Sequence, residues 1–83
     1  MSNHIENIEL SLQNLNSEIV KNPTDVSLLE KRAMLYYKSS QFHAAYNDFV
    51  AILTVDDSNS RALQYLQLLK MVMNHEYREN LNV

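Results

Sequence analysis

The chain contains no glycine and a single proline, Pro23. Tight hairpin turns, bulges and phosphate-cradling loops draw on positive-φ positions that glycine occupies without steric cost. A sequence of 83 residues without one is therefore directed away from β-rich folds and from glycine-loop nucleotide sites. Helices need no glycine in their interiors. Hydrophobic residues make up 46% of the chain, enough for a packed core rather than disorder. The length allows one domain with a thin stability margin.

Apolar spacing close to 3.6 residues predicts four helices. The first runs from about Asn3 to Lys21, with Ile5, Ile8, Leu12, Leu15 and Ile19 on one stripe and Ser2 or Asn3 as cap. Asn22-Pro23 stops it, because proline cannot donate to the helical ladder and disfavours the α region before it. The second spans about Asp25 to Ser39, capped by Thr24 or Asp25, with Val26, Leu29, Ala33 and Tyr36 on one face. After Ser39-Ser40-Gln41 a third covers about Phe42 to Val55, and the short break makes the two antiparallel neighbours. Asp56-Asp57-Ser58-Asn59 supplies the next stop and cap. The last helix is expected from Ser60 into the mid-seventies, with a frayed tail from Asn80.

Spacing within the middle pair is more specific than periodicity. Leu29-x2-Arg32-Ala33-x2-Tyr36 followed by Ala45-x3-Phe49 matches the tetratricopeptide pattern W-x2-L-G-x2-Y, A-x3-F with a closing proline. In this stretch the chain resembles the tetratricopeptide repeat family. Pro23 stands where a preceding repeat would close, and Ser60 opens the next in phase, with Ala62, Leu63 and Leu66 following. Leu29 replaces the usual aromatic, Ala33 the glycine, Ser40 the turn glycine and Asp57 the closing proline; Ser40 is expected in a mildly strained left-handed conformation. The resemblance implies an all-α domain of antiparallel helix hairpins, a fragment of about four helices from a right-handed α-α solenoid. Residues 1–22 form a capping helix, 23–59 one full hairpin, and 60–83 a final helix and tail. Ala33 and Ala45 are small where the hairpin helices cross, and Tyr36, Phe42 and Phe49 fill the wedge beside them. Arg32 and Asp48 are expected to pair across the hairpin.

Charge and composition exclude several functions. The net charge is −3, and the seven Lys and Arg residues are scattered along the sequence, which disfavours nucleic acid as a partner. Cysteine is absent, so disulfides, thiolate nucleophiles and thiolate metal sites are excluded, consistent with a cytoplasmic location. The N-terminal segment lacks the charged and apolar regions of a secretory signal, and the apolar-rich stretch from Ala62 to Met73 is interrupted by Gln64, Gln67 and Lys70, so no membrane span is expected. His4, His43 and His75 lie on separate segments without paired spacing, which predicts no metal site. Glu6 and Glu9 suit a helix N-terminus, and Asp56 and Asp57 a cap. No catalytic constellation and no cofactor motif is present, so an enzyme is not expected.

The remaining reading is a non-enzymatic interaction module whose partner is another protein or a peptide, including a second copy of the chain as a homodimer. The resemblance implies a concave surface lined by the second and fourth helices, where Ser27, Glu30, Met34, Tyr37 and Lys38, then Arg61, Gln64, Leu68 and Met71, are expected to point. Glu30 and Met34 stand where relatives that grip a terminal carboxylate place polar or basic groups, so that specificity does not carry over. On the last helix Ala62, Leu66, Leu69 and Met73 form a docking stripe. Tyr65, Leu68 and Val72 form a second, rotated by roughly 80°, expected to lack an intramolecular partner. The alternative is a structural helical scaffold acting by homo-oligomerisation without a peptide groove.

Overall fold

A computed structural model describes residues 4–81, with side chains placed for 7–74. They form an all-α fold of four helices, α1 (His4–Lys21), α2 (Val26–Lys38), α3 (Phe42–Val55) and α4 (Ser60–Leu81). The capping residues proposed for α1, Ser2 and Asn3, lie outside the described residues. Helix α4 continues to Leu81 rather than ending in the mid-seventies; of the tail expected to fray from Asn80, Asn82 and Val83 lie outside the described residues. The segment after Met73 contains neither proline nor glycine, so nothing local interrupts the ladder.

Each interhelical break has a local cause. Asn22 closes α1 by donating its backbone N–H to Glu18 and Ile19 carbonyls at 2.9 and 3.1 Å, and Pro23 prevents continuation. Asp25 caps α2 by accepting from the Leu28 N–H at 3.2 Å. At the other end the Ser40 N–H donates to the Tyr37 carbonyl at 3.1 Å and Gln41 to Tyr36 at 2.8 Å, the paired bonds of a Schellman stop. Ser40 takes the left-handed position, φ 63°, where a side chain carries a steric cost. Asp56 accepts from the Ser58 N–H and hydroxyl, and Asn59 caps α4 by accepting from Ala62 N–H at 2.9 Å.

The helices pack chiefly as successive neighbours, α1 on α2, α2 on α3 and α3 on α4. Ala33 and Ala45 are both fully buried at the α2–α3 crossing, where small side chains let the backbones approach. Phe49, Ile52 and Leu69 are the largest fully enclosed side chains, each contributing about 1.5–3 kcal/mol by burial. The docking stripe of α4 behaves as its spacing predicts: Ala62, Leu66 and Leu69 are buried and Met73 is half-buried.

The pair expected across the hairpin is present. Arg32 donates from Nε to Asp48 Oδ2 at 2.8 Å and from Nη2 to Oδ1 at 2.7 Å. Its Nη1 reaches Asn16 Oδ1 on α1 at 2.9 Å, so one guanidinium joins three helices. Its carbon lies 5.9 Å from the Tyr36 ring centroid, within cation–π range. The hydrogen bond to Asp48 raises the Arg32 pKa above its ordinary value despite partial burial.

Candidate partner-binding cleft

An open cleft of about 490 Å³ lies over α2. From α2 it is lined by Glu30, Lys31, Met34, Leu35 and Lys38; α1 adds Ser11, Asn14 and Leu15, and the first turn of α4 adds Arg61. The helical repeat explains the grouping. Residues 31, 34, 35 and 38 share one face of α2, as 11, 14 and 15 do on α1. Leu15, Met34 and Leu35 are half-buried and form an apolar floor, while Lys31, Lys38 and Arg61 are exposed. Methionine is unbranched and polarizable, suited to a surface that adapts to its occupant. Arg61 Nη1 donates to Glu30 Oε1 at 3.3 Å, a contact between side chains 56% and 30% exposed. Solvent screening leaves it little energetic weight.

Of the residues expected to meet a partner, the structure brings Met34, Lys38, Glu30 and Arg61 together in this cleft. It does not place Tyr37, Gln64, Tyr65, Leu68, Met71 or Val72 among its lining residues. Tyr37 and Tyr65 are the clearest corrections. The Tyr37 ring meets Phe42 edge-on at 5.9 Å between centroids and Tyr65 at 5.1 Å, while Tyr65 stacks on Phe49 at 5.2 Å and 5° between planes. Both rings are half-buried in an aromatic cluster joining α2, α3 and α4. Of the Tyr65, Leu68 and Val72 stripe, expected to lack an intramolecular partner, Tyr65 has one and packs inward, Val72 is half-buried, and Leu68 stays 40% exposed. Met71, 68% exposed, faces solvent. Gln64 instead lines a second cleft of about 580 Å³ with Leu53, Leu63, Leu66, Gln67 and Lys70, and Ser27 is exposed outside both clefts.

The structural set sits in the hairpin as described: Ala33, Ala45, Asp48 and Phe49 buried, Arg32 and Tyr36 half-buried. Sequence reasoning missed Lys31 and Leu35 as cleft residues, although both lie at helical spacing from Met34 and Lys38. It also missed Ser11 and Asn14, which enter only because α1 lies against α2. His43 is exposed, and the side chains of His4 and His75 lie outside the described residues. Among the described residues no group of three or more His, Asp or Glu side chains is arranged to hold a metal ion. No helix among them is long and apolar enough to cross a membrane.

Fold and cleft together define a small all-α domain with an open, apolar-floored cleft rimmed by cations. No protein-family model, curated protein or solved structure matches this chain.

Proposed function

We propose that the chain is a non-enzymatic protein-interaction module of tetratricopeptide type, working in the cytoplasm and gripping a peptide or protein segment in the cleft over α2. The observation that carries this reading is the cleft itself: an apolar floor from Leu15, Met34 and Leu35 beside exposed Lys31, Lys38 and Arg61. The repeat assignment is supported by full burial of Ala33 and Ala45 at the hairpin crossing, by the left-handed Ser40 at the turn, and by helices packing in chain order.

Site-specific photo-crosslinking in native lysate tests it. Benzoylphenylalanine placed at Asn14, in the cleft, should capture a discrete protein that the same group placed at Thr54, exposed on α3 and lining no cleft described, does not. Equal capture from both positions, or none from Asn14, would remove the reading. A second reading, a scaffold or subunit that homo-oligomerises without using the groove, is favoured by exposed Leu63, Leu68 and Met71 on α4. Light scattering on the pure protein distinguishes it, since a monomer at all concentrations rules it out.

A further inference from the structure

The charge of the cleft opposes the charge of the chain. The protein carries ten Asp and Glu against seven Lys and Arg, yet three cations and one carboxylate line this cleft. The carboxylate, Glu30, is engaged by Arg61, so the site already holds one anion of its own. Lys31 and Lys38 are exposed and have no ion-pair partner among the described residues. They stand seven residues apart on α2, two turns and roughly 10 Å along the axis. Met34 and Leu35 lie between them on the same face.

This cation, apolar, cation row is the i, i+3/i+4, i+7 row that any α-helix displays on one side. A second helix lying along α2 repeats the same rise, so a carboxylate, two apolar residues and a carboxylate at that spacing meet α2 partner for partner. An extended segment does not match it, because side chains on one face of a strand recur every 6.6 Å or so. From this register and the charge complementarity we infer that the cleft takes an acidic amphipathic helix, its carboxylates on Lys31 and Lys38 and its apolar pair on Met34 and Leu35. The inference rests on the interaction-module reading and adds the chemistry and conformation of the partner. Both ends of the row carry the same charge, so either helix direction fits. Glu30 acts against the ligand by occupying Arg61 and repelling incoming carboxylates.

The probe is a fluorescein-labelled, acetylated and amidated alanine-rich peptide of about 18 residues, long enough to sample helix in water. It bears Glu, Leu, Leu and Glu at i, i+3, i+4 and i+7, and control peptides carry Gln or Lys at the two Glu positions. Fluorescence anisotropy at low salt should show the Glu peptide binding about tenfold or more tightly than the Gln peptide, with the difference shrinking at high salt. The Lys31→Glu/Lys38→Glu variant should lose the Glu peptide and gain the Lys peptide. Glu30→Gln, a milder change, should tighten the Glu peptide several-fold. Equal affinity for the Glu and Gln peptides, no binding of the Glu peptide, or unchanged binding by the double variant with native circular dichroism would overturn the inference. Capture from Asn14 together with any of those results would leave the module standing and remove only its acidic, helical ligand.

Discussion

Arg32 on α2 grips both carboxylate oxygens of Asp48 on α3, at 2.8 and 2.7 Å, in a two-pronged bond across the hairpin. The partners are unequal: the Asp48 side chain is 7% exposed and that of Arg32 22%. Removing the cation strands a buried carboxylate, so Arg32→Ala should destabilise the domain by about 2–4 kcal/mol in a urea melt. Replacing both partners with apolar residues, Arg32→Met with Asp48→Leu, should recover most of that loss. A double variant no more stable than Arg32→Ala would show that the pair does not act as a unit. Since the Arg32 pKa is raised in the fold, its contribution is present below the ordinary arginine value and lost only as pH rises past the folded one. Arg32 ionisation therefore gives no stability change between pH 6 and 9, which melts across that range check.

Ala45 has no exposed surface where α2 and α3 cross. Ala45→Leu inserts three carbons into that crossing and should cost roughly 1–3 kcal/mol by overpacking. A thermal melt with no loss of stability would mean that the helices do not approach closely there, and the repeat assignment would fall with it.

Ser40 holds a left-handed backbone at φ 63° to complete the stop of α2. Ser40→Gly removes the steric cost of the side chain in that region, offset in part by the greater freedom of glycine in the unfolded chain. The balance should stabilise the protein by about 0.5–1 kcal/mol. A lowered Tm would contradict it.

Tyr65 and Leu68 on α4 should respond in opposite ways. Tyr65 stacks on Phe49 and meets Tyr37, so Tyr65→Ala should cost about 2–4 kcal/mol. Leu68 is 40% exposed, and Leu68→Glu should change stability by about 0.5 kcal/mol or less. If Leu68→Glu unfolds the domain, that side chain belongs to the core. If Tyr65→Ala is harmless, the aromatic cluster does not hold α4.

Much of this fold is written locally. Pro23, the caps at Asp25 and Asn59, and the turn at Ser40 act within four or five residues of themselves, so the number of helices and most of their limits follow from sequence alone. So do the buried stripes of α3 and α4, because a repeat near 3.6 residues fixes which side chains share a side. What periodicity leaves open is how far a neighbouring helix covers the edges of a stripe, which depends on the angle and depth at which two helices cross. That is why Tyr37 and Tyr65, read from the sequence as partner-facing, close on Phe42 and Phe49 instead. It is also why Ser11 and Asn14 meet Lys31 and Lys38 around one cleft: α1 folds back along α2, and no local spacing encodes that approach. The sequence by itself determined the helices and their inward faces, and the tertiary structure decided which edges remained open, because burial at a helix edge is a property of two helices rather than one.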